Sequence, residues 1–214
     1  MSGIPSIPEP FMWSLTQMIE YNGDYLCESN ERIHYIKSCL SFHAAARNNL
    51  VDQMFGDWLL MLDTDHQFEP DLAARMVFCM NKYKVNVLTG LYTHKTDPYV
   101  PVIYTYEKKG FSPLVVLDRN VSIFEVDSAG GGCLMVKREV FTRIRTELKE
   151  SPFDIIPPYG EDHSFFLRLR KLGIKSYCNP SIESNHLSWR ASKMDDLNKS
   201  ELQLVERNDI KGFK

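Results

Sequence analysis

The chain has 214 residues, a formal net charge of −3 and a hydrophobic fraction of 43%. This length suits one domain with a sizeable core, and the charge excludes the globally basic surface that would hold nucleic acid or an anionic membrane. No apolar run reaches the length of a membrane span, and we expect no secretory signal. Five scattered cysteines favour a reducing compartment. Together these features predict a cytoplasmic protein.

Hydrophobic periodicity predicts helices that alternate with strands along the chain. In chain order, the predicted elements are a helix over 10–21, a strand over 31–39, a helix over 43–55, a strand over 58–62, a helix over 70–83, strands over 85–91, 100–106, 122–127 and 133–136, helices over 138–149 and 161–172, a strand over 175–178 and a helix over 196–207. This alternation favours an α/β fold with a mostly parallel sheet, whose ligands bind beyond the carboxyl ends of the strands.

An acidic pair follows the continuous apolar run at 58–62. The run leads directly into Asp63-Thr64-Asp65, and carboxylates two residues apart at a strand end can point toward one site. Hard oxygen ligands suit Mg²⁺ or Mn²⁺, and such an ion can bridge a diphosphate and neutralise its charge. The alternative is two solvated or helix-capping aspartates, because three-residue motifs recur by chance. The adjacent His66 is expected to be incidental.

The stretch that contains this pair, DWLLMLDTDHQFEPDLAARM, resembles the DxD region of GT-A glycosyltransferases. The resemblance is greatest to family 2 and to its small phage and bacterial members. Those enzymes have an apolar strand, a DxD motif, a hydrophobic residue, a proline and then a helix. Phe68 and Pro70 stand at the corresponding places here.

Segments on either side of the acidic pair resemble the same family. AAARNNLVDQMF resembles the helix before the DxD motif, which implies that Arg47 and Asn48 lie near the nucleotide or its diphosphate. A guanidinium group suits phosphate, and the alternative is an exposed, solvated arginine. VLTGLYTHK resembles the strand after the DxD helix, where Tyr92, with His94 and Lys95, would line the sugar or acceptor side.

Two segments further along the chain complete the resemblance. SAGGGCLMVKREVF resembles the glycine segment behind the donor sugar, which places Gly131 and Gly132 against the donor. Glycine allows positive φ and a close backbone approach to a ligand, and the alternative is a plain bulge or turn. YGEDHSFFLRLRKLGIKSYCNPSIESNH resembles the segment that carries the family's acidic pair and its terminal histidine.

The resemblance implies a role for each of these polar residues. Asp162 would be the general base of an inverting reaction, with Glu161 as its neighbour and partial alternative. The structural alternative is that the two acids only stabilise a helix N-terminus through its dipole. The mechanistic alternative is a reaction that retains the anomeric configuration. His186 would complete a metal site with Asp65, while Asp63 assists through the metal or the ribose.

The resemblance therefore implies a single-domain GT-A glycosyltransferase over residues 1–190, with residues 191–214 as a helical tail packed on it or extending from it. The donor would be a UDP- or GDP-sugar, the cofactor Mn²⁺ or Mg²⁺, and the acceptor a glycan, lipid, protein or modified DNA base. The family usually opens with a full apolar strand beside the nucleotide base. Here Pro5 and Ser6 resemble the end of a shortened strand, so we expect an abbreviated base pocket or a start further upstream.

Two other functions compete with glycosyl transfer. A nucleotidyltransferase on a similar sheet would carry a glycine-rich, basic signature near the N-terminus, which this sequence lacks. The second alternative is a non-catalytic sugar-nucleotide-binding or viral assembly module with a degenerate GT-A site. If the chain is of viral origin, the cytoplasm in question is that of the host cell.

Overall fold

A computed structural model of the protein describes residues 7–26, 32–40, 42–108, 110–115 and 121–187. The predicted base-pocket residues Pro5 and Ser6 lie outside these ranges. So do the predicted tail over 191–214 and the helix expected within it.

The described residues form five α-helices and nine strands. The helices are α1 (Glu9–Leu26), α2 (His43–Asp52), α3 (Leu72–Tyr83), α4 (Arg138–Arg143), which continues into a π-helical segment (Ile144–Leu148), and α5 (Glu161–Lys171). The strands are β1 (Trp58–Leu62), β2 (His66–Phe68), β3 (Val87–Leu91), β4 (Ile103–Glu107), β5 (Gly110–Pro113), β6 (Phe124–Val126), β7 (Ser128–Ala129), β8 (Cys133–Lys137) and β9 (Ser176–His186).

A mixed central sheet organises the molecule, with strand order β1-β8-β3-β9-β2 and β6 also paired to β9. The predicted α/β class is confirmed, with a central sheet flanked by helices in one domain. The expectation of mostly parallel strands does not hold for the described strands, among which β3 and β9 are the one parallel pair. The reason is that β8 inserts between β1 and β3 and runs antiparallel to both. The apolar runs reflect burial on both faces, not strand direction.

Two apolar cores lie on opposite faces of this sheet, because successive strand side chains alternate in direction. On one face, Leu134 and Val136 of β8 pack in the core that also contains Phe165 of α5. On the other face, Cys133 and Met135 pack in the core formed with α3 and α1. The sheet is therefore the shared wall of both cores.

The C-terminus of α5 shows how local sequence sets the position of an element. Gly173 has a positive φ of 65°, and the N–H of Ile174 donates to the carbonyl of Leu169 at 2.9 Å. The Gly173 N–H donates to Arg170 at 3.1 Å, which completes a Schellman motif. The predicted stop of this helix at Gly173 is confirmed.

Two predicted strands differ from the observed structure. The predicted strand over 31–39 is absent, because residues 32–40 are described and form no strand. Ile33 and Tyr35, expected on one face of that strand, are exposed. Strand β9 is much longer than the predicted 175–178, although Pro180 cannot donate to a ladder. The register between β3 and β9 shifts between Gly90 and Leu91, an irregularity of the kind that accommodates a proline within a strand.

Two expectations from composition can be compared with the described residues. The cysteines described there, Cys39, Cys79, Cys133 and Cys178, are free thiols. Within the same residues, no helix combines the length and apolar character required to cross a membrane.

Gly90, in β3 of the central sheet, leaves little room for a side chain. A Cβ there would lie 2.7 Å from Cys133 Sγ and 2.9 Å from the backbone carbonyl oxygen of Ile182. We expect Gly90→Ala to lower the free energy of unfolding by about 1–3 kcal/mol, because a strand backbone cannot move aside cheaply. Urea unfolding measures this, with Gly23→Ala as the control.

Gly23 lies exposed in α1, and a Cβ added there would meet nothing within 4 Å, so alanine should raise stability by about 0.5–1 kcal/mol through helix propensity. Equal effects of the two substitutions would contradict the steric argument.

Candidate active site

The acidic motif forms a tight turn at the end of β1. The N–H of His66 donates to the carbonyl of Asp63 at 3.2 Å, and the N–H of Asp63 donates to the carbonyl of Gly132 at 3.1 Å. These two bonds hold the turn against the glycine segment. Thr64 is exposed at its tip, and the turn leads directly into β2.

Three side chains of this region can share one metal ion: Asp65, His66 and His186. Asp65 Oδ1 lies 3.7 Å from His186 Nε2 and 4.0 Å from His66 Nε2. Two ligands of one ion lie at most about 4.5 Å apart, given metal–ligand distances of about 2.0–2.3 Å. Both Asp65 Oδ1 and His66 Nε2 are buried without a hydrogen-bond partner among the described residues, so the site contains polar atoms that an ion would satisfy.

Both histidines are oriented by hydrogen bonds through Nδ1, and the Nε2 atom of each lies near Asp65 Oδ1. His186 Nδ1 lies 3.0 Å from the carbonyl oxygen of Thr93, which can only accept, so Nδ1 carries the proton. His66 Nδ1 lies 2.9 Å from Ser184 Oγ. Burial, assisted by repulsion from His186, lowers the pKa of His66 to about 4, which keeps its ring neutral at physiological pH. A neutral imidazole oriented through Nδ1 is the form that binds metal.

Asp65 is held as an anion although it is partly buried. Burial by itself would raise its pKa, but the nearby His186 and Lys95 outweigh burial and hold the pKa well below the usual range. Lys95 forms an ion pair with its other oxygen, Oδ2. One carboxylate with two imidazoles is a mixed oxygen and nitrogen set, which suits Mn²⁺ better than the harder Mg²⁺.

Arg47 joins the acidic turn to the first turn of α5. Its Nη1 donates to the carbonyl of Gly131 at 2.8 Å, and its guanidinium lies 3.5 Å from Asp63, 3.5 Å from Glu161 and 3.2 Å from Asp162. The side chain is only 8% exposed, so the alternative of a solvated arginine is wrong. Burial opposes its charge, but Asp162 and Asp63 outweigh burial and raise its pKa, so Arg47 stays charged.

Asp162 is a buried carboxylic acid of this network whose pKa lies above its ordinary value. Burial raises its pKa to about 6, against the opposing effect of Arg47 and with assistance from Glu161. Its Oδ1 is buried and lies 3.2 Å from Arg47 Nε, an ion-pair contact that lacks hydrogen-bond geometry. The side chain as a whole is 28% exposed, so the carboxyl group remains within reach of solvent. Asp162 and Glu161 both lie in the first turn of α5, where they also face the positive end of the helix dipole.

The glycine segment is packed against protein side chains. A Cβ on Gly130 would lie 2.0 Å from Tyr92 Oη, one on Gly131 would lie 2.2 Å from Arg47 Nη1, and one on Gly132 would lie 2.6 Å from His66 Nε2. Among the described glycines, positive φ occurs at Gly110 and Gly173 and not in this segment. The glycines are therefore required by close approach of these three side chains, not by backbone conformation.

Two predicted site residues, Tyr92 and Asn48, form hydrogen bonds that hold neighbouring segments in place. Tyr92 is 5% exposed, accepts a hydrogen bond from the Gly132 N–H at 3.1 Å and contacts both histidine rings edge-on. Asn48 donates to Asp154 at 2.9 Å and accepts from the Phe153 N–H at 3.0 Å, so both ends of its amide fix the loop before α5. Contact of Tyr92 with an acceptor, or of Asn48 with a nucleotide, stays a prediction.

Sequence reasoning missed two participants in this site. His66 was expected to be incidental, but it is fully buried and belongs to the possible metal cluster. Lys95 was assigned to the sugar or acceptor side, whereas its ammonium group pairs with Asp65. Strand alternation could have signalled His66, because the turn places it on the same side of β2 as the buried Phe68.

The mixed α/β sheet flanked by helices, with the acidic turn after β1 and the acid pair at the start of α5, is consistent with the GT-A fold. A sequence profile described as Glycosyl transferase family 2 matches residues 22–145, which is more than half of the chain. The chain belongs to this family.

Solved structures with a similar fold include A197 from STIV, which is 20% identical with a TM-score of 0.60, over 87% of this chain and 82% of A197. GalNAc-T7, solved with UDP, GalNAc and Mn²⁺, is 13% identical with a TM-score of 0.49, over 80% of this chain and 35% of that one. UDP-glucose pyrophosphorylase from Acinetobacter baumannii is 12% identical with a TM-score of 0.45, over 92% and 70%. The first likeness shows the fold, and the other two are too distant to inform on activity. Comparison with curated protein sequences gave no significant match.

The Arg47 network makes stability depend on pH. We expect Arg47→Met, which removes the charge at similar volume, to lower the free energy of unfolding by about 3–5 kcal/mol at pH 7.5. A raised pKa means that ionisation of Asp162 above about pH 6 costs stability, and losing Arg47 raises that cost. The loss should therefore be smaller at pH 5 than at pH 7.5.

Urea unfolding at both pH values measures this difference. Arg47→Lys, which keeps the charge but not the planar fork, should lose less stability at pH 7.5 than Arg47→Met. An equal loss for Arg47→Met at pH 5 and pH 7.5 would mean that lost packing, not lost charge, is responsible.

Proposed function

We propose that the protein transfers a sugar from a UDP- or GDP-sugar to an acceptor hydroxyl, in a metal-dependent reaction that inverts the anomeric configuration. The observation that carries the proposal is that Arg47 contacts two chemically distinct sets of residues at once. One is the possible metal cluster with its acidic turn, and the other is the acid pair of α5. Family membership supports glycosyl transfer in general.

The donor side of the proposal rests on the acidic turn. Asp65, His66 and His186 would hold a divalent ion, and Asp63, whose side chain is 45% exposed, would reach the same ion or the ribose. When bound, the ion supplies charge neutralisation at the departing diphosphate. The remaining donor contacts in this proposal are Arg47, Asn48, Thr64, Gly131, Gly132, and, outside the described residues, Pro5 and Ser6.

The acceptor side of the proposal rests on Asp162. Its carboxylate would accept the proton of the acceptor hydroxyl while the acceptor oxygen bonds to the anomeric carbon. The bond from that carbon to the diphosphate oxygen breaks at the same time, and its electron pair leaves with the diphosphate. A pKa of about 6 keeps Asp162 ionised at neutral pH and basic enough to take a proton.

Glu161 is the partial alternative for this role, with its carboxylate 3.5 Å from both Arg47 and His43. Tyr92 would support the acceptor side. The catalytic domain would comprise residues 1–190, and the acceptor would be a glycan, lipid, protein or modified DNA base.

The metal assignment is tested by binding. We expect electron paramagnetic resonance to show Mn²⁺ bound by the wild type, and Asp65→Ala, His66→Ala and His186→Ala each to weaken binding by more than about tenfold, since each removes one ligand. Calorimetry should then show UDP or GDP binding that requires Mn²⁺ and is lost in Asp65→Ala.

His34→Ala is the matched control, because His34 is exposed and lies outside the cluster. Retention of full Mn²⁺ affinity by His66→Ala would remove His66 from the ligand set. Failure of every nucleotide to bind under every metal condition would contradict the proposal and favour the non-catalytic binding module.

The base assignment is tested by the pH dependence of donor hydrolysis, in which water replaces the acceptor. The wild-type rate should rise with pH through an apparent pKa of about 6, because Asp162 accepts a proton only when ionised. Asp162→Asn should lower the rate by about 10²–10⁴-fold and abolish this rise. Release of nucleoside diphosphate at saturating Mn²⁺ measures both quantities.

Glu161→Gln is the comparison variant and should retain the rise with pH. If Glu161→Gln loses more activity than Asp162→Asn, the base is Glu161 instead.

A further inference from the structure

A polar groove lies on the far side of the metal-site strands from the cluster itself. It has a volume of about 360 Å³ and is bordered by α1, the segment from β2 into α3, and β9. Its lining includes Trp13 and Gln17 on α1, Gln67 on β2, and Asn185 on β9. None of these residues belongs to the proposed donor or acceptor side.

Strand register fixes the relation between the groove and the metal cluster. In the antiparallel β2–β9 pair, His66 is opposite His186 and Gln67 is opposite Asn185. Because successive side chains point to opposite faces, the histidine pair faces the cluster and the amide pair faces the groove. The floor of the groove is therefore the back of the two-stranded segment that carries two of the possible metal ligands.

The walls of the groove are fixed by contacts within the protein. The Phe68 N–H donates to the hydroxyl of Ser14 at 3.2 Å, and the rings of Phe11 and Phe68 meet edge-on at 5.9 Å, which together pin α1 to β2. At the other end, Arg75 donates to Ser181 Oγ at 3.2 Å. A groove whose walls are already held in place loses little freedom when it binds a ligand.

The chemistry of the lining selects one class of ligand. The amides of Gln17, Gln67 and Asn185 each donate and accept hydrogen bonds, as a run of sugar hydroxyls requires. Trp13 is 62% exposed and offers a flat apolar ring at the edge of a mainly polar surface, suited to the C–H face of a pyranose.

Charge argues against an anionic ligand in the same groove. Glu69 and Glu183 are the acidic residues of the lining. The guanidinium of Arg75 is engaged by Asp71 at 3.7 Å and by Ser181, so it is not directed to a phosphate. A nucleic acid or a phosphorylated lipid would meet net negative charge here.

We propose that this groove is a second carbohydrate site, which binds a short chain of neutral hexopyranose units. Given the proposed function, such a site would retain a glycan acceptor on the enzyme without contributing to the chemistry.

The experiment titrates the full chain with cellotetraose, maltotetraose, mannotetraose and chitotetraose, followed by calorimetry and tryptophan fluorescence. At least one tetrasaccharide should bind, and Trp13→Ala should weaken binding by about tenfold or more, as expected when an anchoring aromatic is removed. Gln67→Ala should also weaken it. Phe78→Ala is the matched control, because Phe78 is an aromatic residue that is 66% exposed but lies outside this groove.

Binding to none of the four tetrasaccharides, or equal binding by wild type and both groove variants, would overturn the proposal. The Asp65→Ala variant separates this result from the fate of the proposed function. Saccharide binding should persist in Asp65→Ala, whereas Mn²⁺-dependent nucleotide binding should be lost. Loss of saccharide binding in Asp65→Ala would instead assign the sugar to the donor and acceptor site.

Discussion

A single buried guanidinium links the elements that form the candidate active site. Arg47 of α2 has one positive charge, and three carboxylates and one backbone carbonyl meet it. A buried charge is tolerated only when it is paired, so moving any of these partners away would weaken the compensation of the Arg47 charge. The planar fork also fixes the directions of its partners, which an ammonium group would not do. The spacing between the acidic turn and α5 therefore follows from one side chain of α2.

The positions of two possible metal ligands, His66 and His186, are fixed by the short antiparallel pair of β2 and β9. His66 and His186 are far apart in sequence but stand opposite each other in this pair. β9 reaches β2 only because it continues past Pro180, where the register with β3 shifts next to Gly90. A strand that ended at residue 178, as the sequence predicted, would have left His186 without a defined position. The metal cluster thus depends on an irregularity in the sheet.

Sequence reasoning succeeded where one local pattern decided the outcome. The bounds of β1 were predicted because an uninterrupted apolar run ends at Asp63, and the end of α5 because Gly173 can adopt the left-handed conformation that a Schellman motif needs. It failed where distant residues decided. Whether Arg47 is solvated or buried depends on carboxylates more than a hundred residues away in α5 as well as on Asp63. The direction of β8 is likewise invisible in its own composition, since a buried strand is apolar whichever way it runs.

The glycine segment has a consequence for how this site can evolve. At Gly130, Gly131 and Gly132, the space of the missing side chain is already filled by Tyr92, Arg47 and His66 respectively. Substitutions at each glycine and at its contacting residue are therefore coupled. A larger residue at the glycine position fits only if the contacting residue becomes smaller. Arg47 also pairs with three carboxylates, and His66 belongs to the possible metal cluster, so we expect a smaller residue at either position to disturb these contacts as well. We therefore expect very few substitutions in the glycine segment. The exposed Thr64 at the tip of the adjacent turn is not under this steric constraint.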